Sequence, residues 1–155
     1  MAEIFKNFMS KTEALDTNKV IVPSGTIGNN TSNIADNASF GENYREENST
    51  VQVHSIYVSQ VFEPTRVAGN NRYNSDYFRN FDLYILDSNN PSLKIYVAHD
   101  VQVVPGCPYY IEKNITLTPS QSLCLWLPAI APNSQGGTNI HVVASAIVFT
   151  DDIEE

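Results

Sequence analysis

Apolar and polar residues alternate with a period of two along most of this chain. The longest unbroken run is Thr50 to Val61, TVQVHSIYVSQV. Strict alternation puts Val51, Val53, Ser55, Tyr57, Ser59 and Val61 on one face, with Gln52, His54, Ile56, Val58 and Gln60 opposite, the signature of a strand. The stretch Phe81 to Val104 contains two further runs, FDLYILD and LKIYVAH, on either side of Ser88-Asn89-Asn90-Pro91. Asn tolerates left-handed backbone angles, and Pro fixes φ while removing a donor, so this cluster predicts a turn between two strands. Phe81, Leu83 and Ile85 share one face of the first run, and Asp82, Tyr84 and Leu86 the other. Bulk on both faces suits a strand packed inside a sandwich.

The remaining strand signals are shorter. KVIV at 19–22 is stopped by Pro23-Ser24-Gly25, and VQVV ends at Pro105-Gly106. CPYYIEK, ITLT and LCLWL follow, and IHVVASAIVFT at 140–150 closes the series. About eight strands with turn signals between them, and no long helical period, define an all-β chain. The expected architecture is an antiparallel β-sandwich, jelly-roll or immunoglobulin-like. Its core is expected from Val51, Val53, Ile56, Val58, Leu83, Ile85, Ile95, Val97, Leu123, Leu125, Val142 and Val148.

The chain divides into an N-terminal arm at 1–18, a sandwich domain at 19–150 and an acidic tail at 151–155. Two polar excursions interrupt the sandwich, at 26–49 and 62–79, each long enough to suggest a role of its own. They are expected to leave opposite ends of the long strand, with roots about 35 Å apart at roughly 3.3 Å per residue. A length of 155 residues suits one domain with a core that needs no staples.

Charge narrows the partners. The net charge is −8, half of it from Asp151, Asp152, Glu154 and Glu155. That balance excludes a phosphate-tracking surface, so no nucleic-acid partner is expected. No run approaches the ~20 apolar residues of a membrane span, and no secretory signal opens the chain, which predicts synthesis in a cytoplasm. The sequons at Asn29, Asn30, Asn37, Asn48 and Asn114 are then compositional. Cys107 and Cys124 are expected as free thiols.

Chemistry is sparse. His54, His99 and His141 lie on three different strands, none with a second ligand at metal spacing, so no metal or cofactor is expected. No nucleophile elbow or phosphate loop occurs, and Cys124 sits among Leu123, Leu125 and Trp126, an inert setting. Asp82, Asp87, Asp100 and Glu112 mostly border turns, which is structural work for a carboxylate. The expectation is a protein that binds rather than catalyses. Arg, Tyr and Phe concentrate in RYNSDYFRN, whose Arg72, Tyr73, Tyr77 and Phe78 have the composition of an interface centre. Ile4, Phe5, Phe8 and Met9 of the arm are the second set of candidate contacts. A glycan platform on Tyr57, Tyr109, Tyr110 or Trp126 is the alternative.

In order and spacing, VIVPSG at 20–25, VQVHSIYVSQ at 51–60, FDLYILDS at 81–88, LKIYVAHDVQVVPG at 93–106 and IHVVASAIVF at 140–149 resemble a group of small tailed-bacteriophage virion proteins. Lys6-Asn7-Phe8 matches the segment with which that group opens. Gln60 stands where Asn is usual, and 26–49 and 62–79 are insertions relative to the compact form. The resemblance implies a non-enzymatic particle component: a decoration, neck or tail protein, located in the virion and made in the host cytoplasm. Its implied partners are other virion proteins and further copies of itself.

Overall fold

The alternating runs become strands because each can turn its apolar face inward. The computed structural model describes residues 2–12, 17–26, 28, 43–62, 79–104, 106–127 and 138–151. Its strands are β1 (Ala2–Thr12), β2 (Thr17–Val22), β3 (Thr50–Phe62), β4 (Arg79–Asp87), β5 (Asn90–Val103), β6 (Tyr109–Ile111), β7 (Ile115–Leu117), β8 (Gln121–Leu127) and β9 (Thr138–Thr150). One sheet runs β1-β9-β3-β6, with β7 also on β3, and the other runs β2-β8-β4-β5. All pairings are antiparallel. No helix occurs among the described residues.

β6 and β7 both lie along β3, opposite Ile56–Val58 and Val51–Val53, and so form one interrupted edge strand. Counted that way there are eight strands. The first sheet reads first-eighth-third-sixth in chain order, and the second reads second-seventh-fourth-fifth. Apart from the β4–β5 hairpin, every connection passes from one sheet to the other. That is a jelly roll. An immunoglobulin sandwich would hold its first two strands in one sheet.

The core lies between the sheets. Val51, Val53, Ile56, Val58, Leu83, Leu123, Leu125, Val142 and Val148 are buried as expected, joined by Phe8, Phe81, Leu117, Leu127 and Ile140. β3 departs from strict alternation. Its register against β9 shifts between Val53 and Ser55, so a bulge at His54 moves the inward phase from Val51 and Val53 to Ile56 and Val58. Tyr57 therefore points outward, on the face opposite Val53.

Two expectations are corrected here. Ile95 is 52% exposed rather than core, because β5 is the outermost strand of its sheet and its first seven residues are all exposed. Residues 2–12 are no arm: they are β1, laddered against β9 from Ala2↔Thr150 to Thr12↔Ile140. Phe8 is fully buried in the chain's own core and Ile4 packs partly against it. The first strand of a jelly roll pairs with the last, so its distance in sequence from KVIV says nothing about its distance from the core.

Arg45 holds one end of the sandwich together. Its guanidinium is fully buried, and its five N–H groups reach six acceptors, one donor of Nη2 being shared. Nε reaches Ser49 Oγ at 3.1 Å, while Nη1 reaches the carbonyls of Pro23 at 3.0 Å and Gln121 at 2.6 Å. Nη2 reaches the carbonyls of Ser49 at 2.7 Å, Leu117 at 3.2 Å and Thr118 at 2.8 Å. These acceptors come from the ends of β2 and β7 and the starts of β3 and β8, so one side chain ties both sheets. Burial pulls its pKa down to about 10, with Glu46 acting in the opposite direction. A Cβ at Gly25 would stand 3.2 Å from Arg45 Nε and 3.2 Å from the Glu46 carbonyl. The glycine of VPSG is there to let the clamp close.

Candidate binding surfaces

Each sheet has an outer face and two edges, and the side chains on them are what the chain can offer a partner. On the outer face of the first sheet, ladder pairing puts Met9, Val143, Tyr57 and Tyr110 in one row across four strands. The rings of Tyr57 and Tyr110 meet edge to face with centroids 6.3 Å apart, and both are exposed. The next row is polar: the Ser145 hydroxyl donates to Asn7 Oδ1 at 2.7 Å. Beside it, His54 Nδ1 lies 3.0 Å from Asn114 Oδ1. Phe5 and Ile147 pair in the row beyond, and Phe5 is 78% exposed. A shallow depression lined by Phe5, Lys6, Asn7, His54, Ser145 and Ala146 lies between the rows.

The β1 edge is covered. Asn43 uses its side-chain amide as a strand would use its backbone, accepting from Met9 N–H at 3.1 Å and donating to the Met9 carbonyl at 2.7 Å. Lys6 Nζ donates to the Tyr44 carbonyl and lies 3.5 Å from Glu46. The last residues of the first excursion, 43–49, thus fold back onto the sandwich, anchored by Arg45.

The β5 edge presents its side chains openly. Leu93 is 51% exposed, Ile95 52% and Tyr96 46%. Lys94 Nζ sits 4.6 Å from the centre of the Tyr84 ring, and Tyr96 meets Tyr84 edge on at 6.1 Å. Tyr84 is nearly buried; its hydroxyl donates to Asn18 Oδ1 at 2.6 Å. Burial first, then the neighbouring Cys124, Tyr96 and Asp82, push its pKa up to about 12. At the hairpin turn, Asp87 accepts the Asn89 N–H at 2.9 Å, which holds its carboxyl below the usual range. Further along β5, the buried Asp82 carboxylate accepts the Asp100 N–H at 2.6 Å and lies 3.2 Å from His99 Nδ1. That carboxylate does structural work, fixing a bulge where Asp100 takes a φ of 52°.

The residues expected to form contacts are thus scattered. Phe5 is exposed, Met9 is half-buried in the outer row, and Ile4 and Phe8 are spent on the core. Arg72, Tyr73, Tyr77 and Phe78 lie outside the described residues. Of the aromatics expected to stack on sugars, Tyr57 and Tyr110 are exposed, whereas Tyr109 packs edge on against Phe81 at 5.5 Å. Leu93 and Tyr96 are not among the contacts expected from the sequence. Their signal was Pro91 at the strand start and Lys94 within it, both marks of an edge strand. Cys107 is exposed and Cys124 buried, and they are not bridged; burial raises the Cys124 pKa. No group of three or more His, Cys, Asp or Glu is placed to hold a metal among the described residues.

No family model and no curated protein matches the sequence. Among solved structures, the chain overlaps the CBM22-1 xylan-binding domain of Paenibacillus barcinonensis Xyn10C at 12% identity with a TM-score of 0.36, covering 99% of this chain and 100% of that one. A second overlap is with the CBM22-1–GH10 modules of Clostridium thermocellum endo-1,4-beta-D-xylanase 10B complexed with xylohexaose. There the identity is 13% and the TM-score 0.32, over 96% of this chain and 27% of the other. Overlaps of this size say nothing about what this chain binds.

Proposed function

We propose that the chain is a non-enzymatic structural component of a tailed-phage virion, which binds neighbouring virion proteins and further copies of itself. The observation that carries this is the exposed apolar side chains on the outermost strand of each sheet, Phe5 on β1 and Leu93, Ile95 and Tyr96 on β5. Each is worth roughly 1.5–3 kcal/mol when a neighbour buries it. A domain that works alone rarely leaves such large apolar side chains open on its outermost strands. The kind of assembly comes from the sequence resemblance, whose segments coincide with β2, β3, β4, β5 and β9. Its two insertions fall in the β2–β3 and β3–β4 connections, where a particle-specific contact can be added without disturbing the core. Peptide mass spectrometry of density-purified particles tests the reading. The chain is expected there in fixed multiple copies per particle. Its absence from particles, with the soluble chain present in the same lysate, overturns the proposal.

A second reading is favoured by one specific observation, the exposed Tyr57–Tyr110 pair beside the polar row of Asn7 and Ser145. Ring faces and hydrogen-bonding groups side by side suit a host-surface glycan. Retention on immobilised polysaccharide, lost in the Tyr57→Ala, Tyr110→Ala double variant, is the expected result for that reading. Equal retention of the variant removes it.

A further inference from the structure

The edges of this jelly roll are not equivalent. β1 is covered at Met9 by Asn43. β6 and β7 are three residues each. β2 is six residues long with a register shift between Val20 and Val22. β5 is fourteen residues long and carries three exposed large apolar side chains. Alternate residues of an edge strand turn their N–H and C=O groups away from the sheet, so β5 offers both a hydrogen-bonding rim and an apolar one.

We propose that β5 pairs with β5 of a second copy, antiparallel about a two-fold axis through Ile95, joining two four-stranded sheets into one of eight. This rests on the reading of the chain as an assembling subunit and names both the partner and the surface. In a continuous antiparallel sheet, residues opposite each other share a face, so the axis must pass through a residue rather than between two. Placed on Lys94, it sets two ammonium groups against each other, which is unfavourable. Placed on Tyr96, it sets Leu93 opposite His99 and Lys94 opposite Ala98. Placed on Ile95, it sets Ile95 against itself, Leu93 opposite Val97, and Lys94 opposite the ring of Tyr96 on both sides of the axis.

Lys94 is already oriented over the Tyr84 ring, so the partner's Tyr96 meets a cation held in place by an aromatic neighbour. Charge favours the same stretch. Two copies of a chain with net charge −8 repel, yet Asn90 to His99 contain no carboxylate and one lysine. Repulsion is therefore weak along this edge. The pairing has a natural end: the β4–β5 register shifts between Leu83 and Tyr84, and the ladder bends at Asp100. The straight segment is short, which limits the contact to one closed pair.

The full chain is measured by sedimentation over a concentration series. Wild type is expected to pass from monomer to dimer. Ile95→Glu is expected to weaken the dimer roughly a hundredfold, because one buried isoleucine is lost from each copy. Its melting temperature should be unchanged in the monomer, since Ile95 is exposed there. A second variant guards against misfolding. In a Cys107→Ser background, Ile95→Cys is expected to oxidise to a linked dimer, whereas Ser92→Cys, which faces Ala98, stays unlinked. A chain that is monomeric throughout, or a dimer that ignores Ile95→Glu and forms no link at position 95, overturns the proposal. Particles that contain the chain without the link at Ile95→Cys refute this interface and leave the virion reading standing. Linked dimers that never enter particles do the reverse.

Discussion

Replacing Arg45 should damage this fold more than any other single polar change, and the size of the effect can be worked out. The five N–H groups of the guanidinium are all engaged, on six acceptors. At about 1.5 kcal/mol per donor these total roughly 7–8 kcal/mol. Against that stands desolvation: a pKa drawn from 12.5 down to about 10 corresponds to about 3 kcal/mol. Water can reach some of the carbonyls once the side chain is gone, which lowers the remainder further. Arg45→Ala is therefore expected to cost about 3–5 kcal/mol, a large part of the ~5–15 kcal/mol that holds a domain folded. Arg45→Lys should recover less than half, because one ammonium has three donors and no planar fork to span five carbonyls. Urea unfolding reads the loss as a lower midpoint at unchanged slope, and thermal unfolding as a drop of about 10 °C. Gly25→Ala should cost about 1 kcal/mol through crowding of the same clamp. A loss below about 1 kcal/mol for Arg45→Ala, or a lysine variant as stable as wild type, would refute the reasoning.

Other measurements probe the second sheet and the two thiols. Tyr84 keeps its proton to about pH 12 when folded against 10.0 when unfolded, so the folded state binds more protons between those values. Stability should fall by about 2 kcal/mol as pH rises from 10 to 12, and Tyr84→Phe should remove that slope in pH-dependent denaturation. Leu83→Ala, at a fully buried position of β4, should cost about 2–5 kcal/mol as a cavity; a change under about 0.5 kcal/mol means the hairpin is not central. Of the two thiols, Cys107 should react with an alkylating reagent in the native state and Cys124 only after denaturation. Equal rates, or a linked peptide pair in unreduced protein, contradict the assignment.

Fold class was legible because a sandwich writes its period into every strand, and the turn at Ser88-Asn89 carries its own chemistry. What failed to show was phase and neighbourhood. A bulge inserts one residue without changing composition, so alternation read straight through His54 assigns Tyr57 to the face of Val53. The correct signal was the shift of apolar positions from Val51 and Val53 to Ile56 and Val58. Ile95 looked like core because β-branched residues mark strands without marking which strand lies outermost. The long-range pairing of β1 with β9 has no local signature at all. Arg45 is hidden for a related reason: its acceptors are backbone carbonyls brought together only by the finished fold, and no carboxylate in the sequence advertises it.

The clamp and the edges are one system. Asn43, which closes the β1 edge, stands two residues from Arg45, whose side chain anchors 43–49 in the sandwich. The closure of β1 is therefore only as stable as the seat of Arg45. With β1 covered, the molecule has one long open edge and can form a closed pair. With β1 uncovered it has two, on different sheets, and successive copies can join without closing, the condition for open chains. Asn43→Ala removes the cover and leaves the clamp intact, so it should lower stability by only about 1 kcal/mol. Sedimentation should nevertheless shift from a discrete species to a broad distribution of larger ones, and adding Ile95→Glu should reverse that shift by closing the second edge. If Asn43→Ala keeps the wild-type distribution, the side-chain amide at Met9 does not guard the edge, and the size of the assembly must be limited elsewhere.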